Sequence, residues 1–420
     1  MSEDLRGRRP FGFEEDLGVP VTADAPAVEA MPVSEPTTPG EWVRQNLFSS
    51  WLNTILTVVA GTFVLFALYS IINFTFFSAD WTVVQTFMKG YMVGPIPIEE
   101  VWRVWVCAYA VALLAGLSLG TSRWRPQFNA RRAGVSAIWA APAILIILYT
   151  VRTALVLALT AGILVVVAVG ITIGRSLGNR IRRPLIVTWL LLFPAILFVV
   201  RGFDGVPPRL WGGLFFNLIA ATVGIVASFP IGILLALGRR SDLPLVRLVC
   251  VVIIEVFRGV PLIAWLIFSR FVVDLFLPPQ VNIPIIIRAF IAMTLFSSAY
   301  VAEIVRGGLQ GVHSGQLEAG RALGLSPLRL TVLVVLPQAL RSTIPAMIGH
   351  FISLFKDTSL FSAIAITELL AAARRSSNAL EFLGSDAETL LFAALIFWVI
   401  AFSMSRWSQR LELRLGVGER

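Results

Sequence analysis

The sequence is poor in charged residues, and lysine is almost absent. Only 14% of its 420 residues are charged, whereas soluble domains contain about a quarter. Lysine occurs only as Lys89 and Lys356, so arginine supplies nearly all of the positive charge behind the formal net charge of +9. No basic stripe with interleaved aromatic residues is present, which argues against a nucleic-acid-binding protein.

Cysteine and histidine are equally scarce. Cys107 and Cys250 lie within apolar runs, which favours small buried side chains over a disulfide framework. His313 and His350 lack any ligand pattern around them, so no metal site is predicted. A phosphate-binding P-loop needs a glycine before its lysine, and neither lysine has one. We therefore expect no catalytic residue, metal or cofactor in this chain, and no ATPase site.

Long apolar runs dominate what is present. Hydrophobic residues make up 57% of the chain, and the runs are continuous rather than alternating, which predicts helices and not a β-barrel. The fold class expected is an all-α polytopic membrane protein with about ten transmembrane helices. Residues 1–45 lack such a run and are rich in proline, so they are predicted to form a disordered cytosolic tail. Spans are expected at about 52–77, 101–119, 185–200, 211–237, 247–277, 283–304, 342–367 and 389–404.

The run from Val135 to Ile173 has two interpretations. At about 1.5 Å per residue it is too long for one helix across a hydrocarbon core of about 30 Å. Arginine-rich loops on both sides favour a cytoplasmic start and end, and hence a hairpin with Arg152 near its outer tip. A single span is the alternative. The same arginine rule places both termini of the chain in the cytoplasm.

The stretch "EAGRALGLSPLRLTVLVVLP", Glu318 to Pro337, interrupts the apolar pattern. Arg329 and Arg341 enclose a segment too short to span, so Ser326–Arg341 is predicted to lie at the membrane surface. The next span would then begin near Ser342. That register would put Lys356 and Asp357 about 20 Å deep, near the middle of the bilayer.

This stretch resembles the cytoplasmic "EAA" loop of binding-protein-dependent ABC importer permeases. It departs from the family pattern at Gly320, where alanine is usual. "SSAYVAEIVRGGLQGV" (297–312), "LFKDTSL" (354–360) and "EVFRGVPL" (255–262) resemble the polar and basic amino-acid branch. The layout is similar to the general L-amino-acid permease type. The positions that match the loop pattern are Glu318, Ala319, Gly324, Val334, Leu336 and Pro337.

The resemblance implies a type I ABC importer permease core at 205–412, preceded by a transmembrane extension at 46–204. The function implied is a permease subunit of an ATP-driven importer of amino acids, with a broad range of polar L-amino acids as substrates. ATP would be bound by the partner ATPase. The implied partners are a cytosolic ABC ATPase dimer, a second related permease subunit and a periplasmic amino-acid-binding protein, in the lipid bilayer of the bacterial inner membrane. An ion-gradient-driven secondary transporter is the alternative, but it would not explain the loop.

Within the coupling loop, about 309–341, the resemblance implies a short helix that docks on the ATPase. Small apolar side chains at helical spacing would face the partner, and Gly324 is a natural helix stop. Glu318, placed near the start of this helix, would suit its N-terminal dipole. The residues assigned to coupling are Glu318, Ala319, Gly320, Ala322, Leu323 and Gly324.

Other charged residues are assigned to joints between helices. Glu255 and Arg258, spaced i, i+3, are predicted to pair, with Gly259 and Pro261 ending or kinking their helix. Arg270 and Asp274, spaced i, i+4, are also predicted to pair. Two further assignments are Pro337, a joint residue within the surface segment, and Glu303, which either transmits loop motion or, as we favour, pairs with Arg306.

Lys356 and Asp357 raise a separate question, because charges within a bilayer normally face a bundle interior or a water-filled path. Adjacent helical residues point in different directions, so either each has its own partner or the helix opens around Thr358 and Ser359. The hypothesis is that these four residues line the substrate path. A buried pair that fixes helix packing is the alternative.

Overall fold

The computed structural model describes residues 38–121, 154–278 and 280–415. These residues are almost entirely helical, and the described part contains only one isolated β-bridge, between Gly213 and Glu368. The helices are α1 (Pro39–Leu47), α2 (Trp51–Asn73), α3 (Thr82–Thr86), α4 (Met88–Val93), α5 (Val101–Thr121), α6 (Ala154–Leu177), α7 (Arg182–Arg201), α8 (Gly213–Arg239), α9 (Pro244–Gly259), α10 (Leu262–Phe271), α11 (Val273–Phe276), α12 (Ile285–Gln310), α13 (Ser314–Ala322), α14 (Pro327–Leu330), α15 (Leu336–Asp357), α16 (Leu369–Ser377) and α17 (Asp386–Leu415).

Nine stretches of the described residues are candidates to cross a membrane. Seven are long apolar helices, and two more are helix pairs that pass the same test together but bend between their halves. Each of the nine falls on one of the predicted spans. The remaining predicted span is the first limb of the Val135–Ile173 hairpin, which lies outside the described residues, as does Arg152.

The first compact unit ends at Phe77 and contains α1 and α2. A capping box starts α1, because the Thr38 hydroxyl accepts a hydrogen bond from the Glu41 amide and the Glu41 carboxylate accepts one from the Thr38 amide. This helix begins inside the segment 1–45, so the predicted extent of the disordered tail is wrong for its last residues. The rest of that segment, to residue 37, lies outside the described residues.

The second compact unit begins at Ser78 and contains both the rest of the extension and the proposed core. The predicted boundary between 204 and 205 does not separate two compact bodies. Ile96 and Val200 from the extension belong to the same hydrophobic cluster as Phe216, Met293 and Phe361. As the start of the family core, residue 205 stays a prediction.

Helices α5 and α6 touch backbone to backbone through glycines. Gly116 and Gly120 in α5 face Gly170 and Gly174 in α6, with the same four-residue spacing on both helices. A Cβ on Gly170 would lie 2.8 Å from the Leu113 carbonyl oxygen. Small residues at this spacing let membrane helices approach closely where no hydrophobic driving force is available.

The joint predicted at Gly259 and Pro261 is present. Helices α9 and α10 meet there at 99°. Pro261 cannot donate a backbone hydrogen bond, and it stands at the start of α10 in an extended conformation. The predicted span at 247–277 is therefore a bent pair.

The predicted division into a surface segment at Ser326–Arg341 and a new span from Ser342 is absent. Helix α14, a π-helical turn at Thr331–Val335, α15 and a 3₁₀ segment at Thr358–Ile364 form one span candidate of 38 residues. The π turn precedes Pro337, and π turns commonly absorb a local irregularity within a continuing helix. Ser326–Arg341 is therefore not a separate surface-lying piece followed by a new span at Ser342.

Gly116→Val should destabilise the protein, because its new side chain would overlap the Val167 carbonyl oxygen. Overpacking of this kind costs about 1–3 kcal/mol. The measurement is the melting temperature in detergent, followed by tryptophan fluorescence. Gly307→Val is the matched control, since a Cβ on Gly307 meets nothing within 4 Å. Equal losses of stability in the two variants would contradict the close α5–α6 contact.

Candidate functional site

The short helix of the coupling loop, α13, has a defined cap at each end. At its start the His313 Nδ1 accepts a hydrogen bond from the Gly315 amide at 3.2 Å. At its end Gly324 adopts a left-handed conformation with φ +73°. The Gly324 amide donates to the Arg321 carbonyl at 2.9 Å, and the Leu325 amide donates to the Gly320 carbonyl at 3.1 Å. This is a Schellman cap, so the prediction that Gly324 ends the helix is confirmed.

One face of α13 is open. Glu318, Ala319, Ala322 and Leu323 are exposed, and Leu323 retains 81% of its accessible surface. The helix begins at Ser314, so Glu318 lies in its middle and no acidic residue occupies its first turn. The prediction that Glu318 interacts with the N-terminal dipole is therefore wrong. Its carboxylate lies instead on the open face beside small apolar side chains.

Gly320 belongs to the opposite face. It is buried, and a Cβ at this position would overlap the Cδ1 methyl of Leu330 in α14. Gly320 therefore packs the loop against itself and takes no part in the exposed face, contrary to its assignment as a docking residue. Glycine in place of the usual alanine at position 320 therefore does not alter the exposed face of α13.

A single carboxylate, Glu303, joins several helices beside the coupling loop. The predicted pair with Arg306 is confirmed, with Arg306 Nη2 at 2.8 Å from Glu303 Oε2. Arg239 Nη1 of α8 lies 2.7 Å from Oε1, and Arg258 Nη1 of α9 lies 3.5 Å from Oε2. Glu303 retains 15% of its side-chain exposure. It therefore ties α8 and α9 to α12.

Two predicted local pairs are replaced by longer-range ones. Glu255 forms an ion pair with Arg239 at 3.0 Å, while its expected partner, Arg258, forms an ion pair with Glu303 instead. Asp274 contacts Arg288 at 2.7 Å rather than Arg270. Both changes of partner have the same cause. In each case an arginine on a neighbouring helix lies closer to the carboxylate than the arginine on its own segment, and the spacing of residues along the sequence does not show this.

Glu303→Gln should lower the stability of the protein more than Glu255→Gln. The first change leaves three arginines without their shared carboxylate in a largely buried place, at a cost of about 1–3 kcal/mol. The second removes a contact at a carboxylate that is 55% exposed, and such surface pairs contribute about 0–1 kcal/mol. Thermal melting in detergent is the measurement. A Glu255→Gln loss that equals or exceeds the Glu303→Gln loss would contradict the shared role of Glu303.

Lys356 and Asp357 lie where α15 ends. The α-helix stops at Asp357 and continues as the 3₁₀ segment Thr358–Ile364. The helix therefore changes type at Thr358 but does not open there, so the predicted opening around Thr358 and Ser359 is absent. Lys356 is exposed and lines an open groove between α15 and α17. Within the described residues, neither charged side chain of the pair has an ion pair or side-chain hydrogen bond. Ser353 and Trp398 also line the groove.

Thr358 does not line that groove, contrary to its assignment to the substrate path. It is fully buried and donates a hydrogen bond to the Phe355 carbonyl at 2.6 Å. It also accepts one from Asn217 at 2.9 Å. Ser359 is half-buried beside it.

Asn217 and Glu368 form a buried polar contact that sequence reasoning missed. The Asn217 amide donates to Glu368 Oε2 at 3.1 Å, and both side chains are fully buried. Burial raises the pKa of the Glu368 carboxyl, while hydrogen bonds from Leu370, Asn217 and Ala371 act in the opposite direction. The signal available in the sequence was one amide within the apolar run "LFFNLIAA" and one acid within "AITELL".

Comparison with known proteins decides the family. The inner membrane amino-acid ABC transporter permease protein YhdY of Escherichia coli is 36% identical over 90% of this chain and 93% of its own length. This chain belongs to the amino-acid permeases of ABC transporters. Residues 228–417 match the family described as binding-protein-dependent transport system inner membrane component. The prediction of an amino-acid ABC importer permease is confirmed, and nothing supports a secondary transporter.

Other relatives differ in how much of the permease they match. The glutamate/glutamine/aspartate/asparagine transport system permease protein BztC of Rhodobacter capsulatus is 32% identical over 89% of the chain and 93% of its own length. The probable glutamine permease GlnP of Bacillus subtilis is 35% identical over 49% of the chain and 93% of its own length. The chain is thus about twice as long as this relative.

Proposed function

We propose that this permease passes polar L-amino acids from a periplasmic binding protein to the cytoplasm, driven by a separate cytosolic ATPase dimer. A second, related permease subunit would complete the pore, and ATP would bind only to the ATPase. The substrate class is supported by the relative from Rhodobacter capsulatus, a permease of a transport system for glutamate, glutamine, aspartate and asparagine. Its match extends over most of both chains.

The proposed orientation follows from the loop. An ATPase in the cytosol can reach α13 only if the loop that carries it is cytosolic. Arg239, Arg306 and Arg321 lie at or beside this end of the bundle, and arginine favours the cytoplasmic side. With the loop in the cytosol, the two span candidates that follow it return the C-terminus to the cytoplasm. A cytoplasmic N-terminus needs an even number of spans before the loop, and therefore the predicted first limb of the 135–173 hairpin in addition to the seven candidates that precede the loop among the described residues.

The observation that carries the proposal is the connection between the loop and the charged pair. From Pro327 to Lys356 the chain is one helical run, about 44 Å long at 1.5 Å per residue. This exceeds the hydrocarbon thickness of about 30 Å. A movement of the docking helix can therefore reach the outer half of the bilayer through one continuous element. If the run begins at the cytosolic surface, Lys356 would lie near the far interface, farther from the loop than the sequence predicted.

Glu318→Lys should abolish coupling, because it reverses the charge at the centre of the exposed face of α13. ATPase assembly and ATP-dependent amino-acid uptake should fall by about tenfold or more, as for the loss of a central charged contact in an interface. Co-purification with the ATPase and uptake in proteoliposomes are the measurements.

The control for this change is Glu381→Lys. Glu381 is also exposed, but it lies in the connection between α16 and α17, at the other end of α15. This variant should assemble and transport normally. Normal assembly and uptake by Glu318→Lys would show that the exposed face of α13 does not dock the ATPase.

Lys356 and Asp357 are proposed to contact the amino acid as it crosses. Their charges complement the carboxylate and ammonium groups of a zwitterion. Unpaired charges within a membrane bundle normally mark an ion or substrate pathway. A pair that serves helix packing should make ion pairs or hydrogen bonds to neighbouring helices, and within the described residues these two charges interact only with each other.

Lys356→Gln and Asp357→Asn should each raise the KM for uptake by about tenfold, the effect of losing one hydrogen bond to a charged group. ATPase assembly should be retained. Uptake kinetics in proteoliposomes with the ATPase and binding protein are the measurement. Lys89→Gln, the change of the other lysine of the chain, which is also exposed, should leave KM unchanged. An unaltered rate and substrate range in both pair variants would remove them from the path.

A further inference from the structure

Asn217 of α8 is a three-way junction between segments that are distant in sequence. Its amide nitrogen donates to the Thr358 hydroxyl at 2.9 Å and to Glu368 Oε2 at 3.1 Å. Its carbonyl oxygen accepts a hydrogen bond from the Leu369 amide at 3.0 Å. An asparagine side chain has two donor hydrogens and one acceptor oxygen. Each of these groups is therefore engaged.

Glu368 completes the start of α16. Its carboxylate accepts hydrogen bonds from the Leu370 amide and the Ala371 amide, both at 2.8 Å. The first amides of a helix have no partner within the helix. Here the Leu369 amide is satisfied by Asn217 and the next two by Glu368, although the site is fully buried.

Thr358 links this junction to the charged pair. It follows Asp357 directly and stands where α15 changes to a 3₁₀ helix. Its hydroxyl donates a hydrogen bond to the Phe355 carbonyl, three residues earlier, and its oxygen accepts a hydrogen bond from the Asn217 side-chain amide. The junction therefore holds the turn at which the helix of Lys356 and Asp357 ends.

We propose that Asn217 and Glu368 are positioning residues for amino-acid transfer, which act through Thr358 on the directions of Lys356 and Asp357. The proposal rests on the proposed role of that pair in the substrate path. Neither Asn217 nor Glu368 needs to touch substrate, because both are buried. Their effect is to hold α8, the end of α15 and the start of α16 in one arrangement.

The other end of α16 has an independent anchor, which provides the control. Tyr91 of α4 is hydrogen-bonded to Ser376, and both side chains are buried. Tyr91 belongs to the extension and Ser376 to α16. Ser376→Ala removes a buried hydrogen bond from the same helix without touching Asn217, Glu368 or Thr358.

The experiment measures uptake kinetics and thermal stability of the permease reconstituted with its ATPase and binding protein. Glu368→Gln and Thr358→Val should each raise the KM for amino-acid uptake by about fivefold, within the range found for coupled neighbours. Thr358→Ser, which keeps the hydroxyl, should restore the KM. Ser376→Ala should lower the melting temperature and leave the KM unchanged. Thr358→Val preserves side-chain shape and supplies the test if Glu368→Gln fails to fold.

A double-mutant cycle separates positioning from general stability. In the Lys356→Gln background, Thr358→Val should raise the KM by less than about twofold, because the interaction that it misplaces is already absent. An undiminished fivefold effect in that background would overturn the positioning role. So would a KM for Thr358→Val that equals the wild-type value.

The two proposals fail in different ways. If Lys356→Gln alone, and likewise Asp357→Asn alone, left uptake unchanged, the substrate path would be wrong and the positioning role with it. If these variants raised the KM while Thr358→Val and Glu368→Gln did not, only the positioning role would be wrong.

Discussion

Inside a membrane, every backbone amide and carbonyl group must find its partner within the protein, and this constraint shapes the segment that joins the coupling loop to the charged pair. A break in the helix at Pro337 would leave backbone amide and carbonyl groups without their helical partners. The helix instead continues through the π turn at Thr331–Val335. The resulting continuous helix, called the rod below, extends from Pro327 at the end of the loop to Asp357. In the proposed mechanism, this continuity would let a movement at the cytosolic end of the helix reach its far end.

Side-chain polar groups in the bundle obey the same constraint. On the side of the coupling loop, Glu303 gathers Arg239, Arg258 and Arg306. At the other end of the rod, Asn217 and Glu368 satisfy each other and the start of α16. The pair Lys356 and Asp357, by contrast, makes no ion pair or side-chain hydrogen bond to another described residue, apart from the attraction between its own two charges. That contrast is the physical reason for assigning the pair to substrate and the other two sites to the framework.

The sequence predicted features that depend on neighbours in the chain. The helix stop at Gly324, the pair Glu303–Arg306 and the joint at Gly259 all follow from residues within a few positions. Features that depend on a second helix were missed or misassigned. The contact of Gly320 with Leu330 and the hydrogen bond of Asn217 to Glu368 form only when the chain has folded. A local sequence pattern does not indicate either contact. The continuous helix through Pro337 was missed for a different reason. The spacing of Arg329 and Arg341 suggested a separate surface segment, which the structure does not contain.

The central claim is that the rod carries motion from the ATPase to the charged pair. The most direct test measures the rate of thiol labelling at Ser353→Cys, a groove position next to Lys356, with and without ATP in the assembled transporter. The native cysteines are replaced by alanine beforehand. The account predicts an ATP-dependent change in labelling rate that is lost when Val332→Gly and Leu333→Gly, both at exposed positions, loosen the rod. Persistence of that change in the glycine variant, or its absence in the intact rod, would contradict the account.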